Sequence, residues 1–191
     1  MDRRELLKMI VAATGAAMVG LPALVQGQAP AGATKIHFSD ADVGTLDGIA
    51  ETILPRTRTP GAKDAGAGLF MATFVSDCYT ARQQAAFRAG LADIDKRAGG
   101  RFVSLTPEAR TELLRALDAE AKVRKADVTE TGTPEEGEAM PHYFTMLKQL
   151  AIFGFFTSKV GATGVLQYVA VPGRYDGDLA YVPGTPAWGT S

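Results

Sequence analysis

Pro141-His142-Tyr143-Phe144-Thr145-Met146-Leu147-Lys148-Gln149-Leu150-Ala151-Ile152-Phe153-Gly154-Phe155-Phe156 is the stretch on which the fold turns. Its apolar residues are Tyr143, Phe144, Met146, Leu147, Leu150, Ile152, Phe153, Phe155 and Phe156. At about 100° per residue they circle the whole helical wheel. A helix that is apolar all round is either central to a core or held against a partner. It is too short to span a bilayer.

Working back from this helix, Asp127 to Glu138 reads as a surface loop, because Thr131-Gly132-Thr133-Pro134-Glu135-Glu136-Gly137 is polar and rich in turn residues. Before it, Thr106-Pro107-Glu108 opens a helix with a capping hydroxyl, a proline at the first helical position and an acid. Leu113, Leu114, Leu117 and Ala121 form its buried stripe. An earlier helix covers roughly Thr80 to Arg97, with Phe87, Leu91 and Ile94 on one face, and Gly99-Gly100 ends it. Another runs from about Asp64 through Leu69, Phe70, Thr73, Phe74 and Cys78. Ser39 caps the first, whose stripe is Val43, Leu46, Ile49, Ala50 and Ile53, and Pro55 stops it. Arg56-Thr57-Arg58-Thr59-Pro60-Gly61-Ala62 then makes a constrained loop. The expected fold is mainly α: about five helices in one domain.

Forward of the apolar helix, residues 165–191 behave differently. Their only charges are Arg174, Asp176 and Asp178, and they carry Tyr168, Tyr175, Tyr181 and Trp188 among Pro172, Gly173, Pro183 and Pro186. Disordered tails are charged and poor in aromatics, and this segment is neither. It reads as an extended, irregular arm whose aromatics lie against a surface, its own domain or another subunit, with the latter favoured.

The other end is a transport label. Asp2-Arg3-Arg4-Glu5-Leu6-Leu7-Lys8, followed by an apolar stretch from Met9 to Val25, reads as a twin-arginine export signal. Ala31-Gly32-Ala33 is the best match to a cleavage site. The expected organisation is therefore a signal over 1–33, a helical domain over 34–164 and the arm over 165–191, in a periplasmic protein. The twin-arginine route carries folded proteins, so the chain either binds something inserted before export or takes a folded partner out with it.

Candidates for chemistry are few. With 20 Lys and Arg against 21 Asp and Glu, the net charge of −1 argues against nucleic acid and anionic membrane surfaces. Cys78 is the sole cysteine; it is either buried and inert, the commoner state, or paired with another chain. No C-x-x-C-H for covalent haem, no phosphate loop and no G-x-S-x-G occurs. The two histidines, His37 and His142, lie in no metal-ligand spacing. His142 near a helix start could act as a general base, but no nucleophile signature accompanies it. Catalytic, cofactor and metal residues are accordingly none, and the chain reads as an accessory subunit. An independent periplasmic enzyme and a small-molecule-binding protein are the alternatives.

Three segments, Ile53-Leu54-Pro55-Arg56-Thr57-Arg58-Thr59-Pro60-Gly61-Ala62, Gly154-Phe155-Phe156-Thr157-Ser158-Lys159-Val160-Gly161 and Val171-Pro172-Gly173-Arg174-Tyr175-Asp176-Gly177, carry a resemblance. In this order and behind a twin-arginine signal, the chain resembles the small (gamma, or subunit 3) component of gluconate 2-dehydrogenase-type complexes. The resemblance implies a three-part periplasmic dehydrogenase. A large flavoprotein of the glucose–methanol–choline type holds FAD and oxidises a sugar or sugar acid. A cytochrome subunit with haem c passes electrons on. The small subunit binds the large one and, through the twin-arginine translocase, carries the export signal for both. On that footing Arg3, Arg4, Leu6, Leu7 and Lys8 form the export signal. Phe153, Phe155, Phe156, Pro172, Tyr175, Tyr181 and Trp188 are candidates for the partner interface, and Cys78 for an intersubunit disulfide. Ser158 is expected to cap a short helix after the apolar one.

Overall fold

The computed structural model of the chain describes residues 36–128, 140–171, 173, 177–178, 180 and 182–189. The described residues form helices α1 (Asp40–Ile53), α2 (Ala67–Cys78), α3 (Ala81–Arg97), α4 (Pro107–Val128), α5 (Tyr143–Thr157) and α6 (Lys159–Gly164), with a 3-10 turn at Phe102–Ser104. No β-strand occurs among them; a single parallel bridge joins Gln167 to Trp188. The mainly α fold is thus as expected, and no described helix is long and apolar enough to cross a membrane.

Local chemistry sets the helix starts. The side chains of Ser39 and Asp42 each accept from the other's backbone N–H in a capping box at α1, and Thr80 and Gln83 do the same at α3. Thr106 Oγ1 accepts from the Ala109 N–H at 3.3 Å, opening α4. Ser158 Oγ accepts from the Gly161 N–H at 3.0 Å, so it caps α6 as its position suggested. One cap comes from a neighbouring helix. Buried Gln84 of α3 donates through Nε2 to the carbonyls of Val75, Ser76 and Tyr79, which end α2.

Two boundaries differ from the sequence reading. α2 starts at Ala67 rather than near Asp64, because Gly66 sits at φ 67° and breaks the helical path. α4 runs through Asp127 to Val128, past the expected loop start.

α5 is the hub. It packs against α1, α2, α3, α4 and α6, which is why its apolar residues circle the wheel. Leu147 is fully buried at the centre, with Leu46 and Ile49 of α1, Met71 and Val75 of α2, Phe87 and Ile94 of α3, and Leu117 of α4 around it. Each such side chain contributes about 1.5–3 kcal/mol by leaving water. A polar seam runs beside the core: Arg97 of α3 grips Glu120 of α4 through two hydrogen bonds of 2.6 and 3.0 Å, and Tyr143 of α5 donates to Asp93 of α3 at 2.6 Å.

Candidate partner-binding surface

The loop between α1 and α2 is wrapped around two carboxylates. Glu51, near the end of α1, accepts from the Arg56 N–H at 2.8 Å and the Lys63 N–H at 2.9 Å. Asp64 accepts from the Gly61 N–H at 2.8 Å and from the Arg56 guanidinium at Nε, also at 2.8 Å, and at Nη2. Arg56 and then the Gly61 N–H hold the Asp64 carboxyl below the usual carboxylate range. The Ala62 N–H donates to the Leu54 carbonyl at 2.9 Å, and Ala62 itself is fully buried. A loop so anchored has a fixed backbone, yet residues 55–59 all lie exposed on its outside. The constrained loop expected from Pro55, Pro60 and Gly61 is therefore held chiefly by acids that flank it.

Beside this loop lies an apolar face. Phe70 and Phe74 of α2 meet Phe153 of α5 with ring centroids 5.7 and 5.9 Å apart, and Phe70 and Phe74 are 5.7 Å from one another. Gly154 permits this approach: a Cβ there would sit 2.5 Å from Phe70 Cδ1. On the same two helices Leu69 is 62% exposed, Phe153 48%, Ile152 38% and Phe156 36%. α6 closes the lower edge, with Gly164 close to Pro60 of the loop and Gly161 pressed on the Phe155 carbonyl. The loop of the first of the three segments singled out in the sequence, 53–62, thus reaches the end of the short helix that the second, 154–161, begins.

Phe155 is only 3% exposed and packs in the core, with its ring edge-on to Phe156, so it is not part of the exposed face. Trp188 is 49% exposed. Its neighbourhood folds back on the start of the arm: the Gln167 N–H donates to the Ala187 carbonyl at 2.9 Å and the Gly189 N–H to the Gln167 carbonyl at 2.8 Å. Tyr168, Val169, Val171 and Val182 also remain exposed on this segment. Pro172, Tyr175 and Tyr181, like Arg3, Arg4, Leu6, Leu7 and Lys8, lie outside the described residues. Cys78 is an exposed, free thiol, against the expectation of burial. By spacing it falls on the stripe of Ala67, Met71 and Val75, but it is the last residue of α2, and the adjacent Tyr79 packs its ring against Phe74 and Phe87. His142 serves as the N-cap of α5, its Nδ1 accepting from the Phe144 N–H at 3.2 Å, and its ring lies over that of Tyr143.

Leu69 and Ile152, exposed aliphatic residues of the same helices, were not among the interface candidates read from the sequence. A helix apolar all round offers no wheel position that marks its outside, and only the packing of α2 across α5 decides it. Among the described residues no group of three or more His, Cys, Asp or Glu is placed to hold a metal ion. The grooves near α4, lined by residues such as Leu105, Ala109, Leu113 and Arg97, are open and shallow.

Residues 40–173 match the family model for gluconate 2-dehydrogenase subunit 3. The chain belongs to that family. The matched span takes in every helix from α1 to α6, and so the anchored loop and the whole apolar face. Searches of curated proteins and of solved structures returned no match.

Proposed function

We propose that this chain is the small, non-catalytic subunit of a periplasmic, FAD-dependent dehydrogenase complex of the gluconate 2-dehydrogenase type. It binds the large flavoprotein subunit, stabilises it, and lends it the twin-arginine signal of Arg3 and Arg4, so that both cross the membrane together, folded. FAD resides in the large subunit and haem c in a cytochrome subunit. The observation that carries the reading is an apolar face on α2 and α5, Leu69, Ile152, Phe153 and Phe156, left open to solvent within a chain of this family. Exposed apolar side chains of this kind on two packed helices suit a protein interface. The half-exposed aromatics Tyr168 and Trp188 support the same reading.

The test is export of the partner. Replacing Arg3 and Arg4 together by lysine is expected to leave the flavoprotein in the cytoplasm, measured by fractionation and flavin content. Normal periplasmic flavoprotein in that strain would overturn the escort role.

A further inference from the structure

We infer that the strip formed by Leu69, Ile152, Phe153 and Phe156, together with a basic edge, docks on a folded protein whose matching surface is apolar and ringed by carboxylates. This deepens the subunit reading and rests on it, adding where the partner sits and what its surface must carry.

The edge is built from three cations. Lys159 opens α6, three residues after Phe156; Lys63 lies in the loop that leads into α2; Arg58 lies in the same loop, two residues before Pro60, which abuts the end of α6. None of the three has an ion-pair partner among the described residues. Of the acids on the same segments, Asp64 pairs with Arg56, and Glu51 accepts the Arg56 and Lys63 N–H groups, which hold it in place without cancelling its charge. Arg56, Arg58, Lys63 and Lys159 against Glu51 and Asp64 leave these segments a net charge of +2.

Charge decides among the occupants. A second copy would bring the same cations face to face, and like charges across an interface are costly. An anionic bilayer is drawn by clusters of about four to eight basic residues, whereas this edge has three and the chain as a whole is net −1. A protein surface with apolar side chains bordered by Asp and Glu satisfies both parts of the strip. The fixed backbone of residues 54–66 also lowers the ordering cost of docking.

The experiment uses the full chain, tagged and purified from its native periplasm, with flavin absorbance read on the eluate. Wild type and the solvent-face control Arg115→Glu are expected to bring down a large flavoprotein. Phe153→Asp with Phe156→Asp, and separately Arg58→Glu with Lys159→Glu, are expected to lower the recovered flavin by about tenfold or more. Circular dichroism of each variant should match wild type, since all four side chains are exposed. A photo-crosslinking phenylalanine in place of Phe153 should then join an apolar, acid-bordered patch of the flavoprotein. Undiminished flavin with both double variants would overturn the docking surface while leaving the subunit reading intact. So would a crosslink to a second copy, or strip-dependent binding to phosphatidylglycerol vesicles. A wild-type chain that elutes without flavoprotein would instead overturn the subunit reading itself.

Discussion

At the scale of single residues, Gly154 shows how one missing methyl shapes the candidate surface. Its Cα is where Phe70 crosses α5, and an added Cβ would lie 2.5 Å from Phe70 Cδ1. Gly154→Ala should force the Phe70 ring outward and cost about 1–3 kcal/mol, measured by chemical denaturation. Gly44, within α1, has nothing within 4 Å of its would-be Cβ. Gly44→Ala should therefore stabilise by about 0.5–1 kcal/mol, since alanine loses less backbone entropy in a helix. Equal effects at the two sites would mean that Phe70 does not rest on Gly154. Neither role is legible from composition: both residues are glycines inside helical patterns, and only the neighbouring helix separates them. The exposed thiol of Cys78 follows the same logic, because Tyr79 won the packing position at the end of α2.

At the scale of elements, buried helix faces are joined by polar clamps. Glu51 holds the loop to the end of α1 by two backbone N–H groups. Glu51→Gln would turn an amide NH2 toward one of them, leaving a donor against a donor. Hydrogen exchange at the Arg56 and Lys63 amides should then quicken by about tenfold or more at one or both sites. Unchanged protection would place the restraint elsewhere. The seam of α3, α4 and α5 responds to pH. The hydrogen bond from Arg97 holds Glu120 below its usual range; Asp93 is held down chiefly by the Tyr143 hydroxyl, then by Arg97. For carboxyls with depressed values, stability is present above their ordinary values of 4.5 and 3.8 and is lost as pH falls through the lower, folded ones. Tyr143 is raised, first by burial and then by the bond to Asp93, so its contribution is full below pH 10.0 and is lost in strong alkali. Arg97 and Glu120 are largely solvated, and their coupling should be only about 0.3–1 kcal/mol in a double-mutant cycle, falling with salt. A coupling that does not move with salt or acid would contradict this account.

At the scale of the whole molecule, α5 touches every other described helix, so its core residues bear on all of them. Leu147→Ala, at a fully buried site, should cost about 2–5 kcal/mol and lower the stability of the domain as one unit in thermal unfolding. Phe153→Asp, at a half-exposed site on the same helix, should change stability far less while disturbing partner binding. If both destabilise alike, Phe153 belongs to the core and the surface proposed for the partner is wrong.

Read along the chain, the local patterns were enough for the helical class, the caps at Ser39, Thr106 and Ser158, and the buried stripes around Leu46, Phe87 and Leu117. These depend on spacing and on hydrogen bonds between near neighbours. The family was also legible, because it rests on segments that can be read in order; the match over residues 40–173 agrees with it. Tertiary structure alone decided which side of the apolar α5 stays in water. It buried Phe155 and left Phe153 and Phe156 outside. It also brought loop 53–62 beside α6, with Glu51 and Asp64 as its anchors. A wheel that is apolar on every side carries no directional information, and a carboxylate does not reveal in one dimension which distant N–H groups it will meet. Both were settled by how α2 and α6 pack against the C-terminal half of α5.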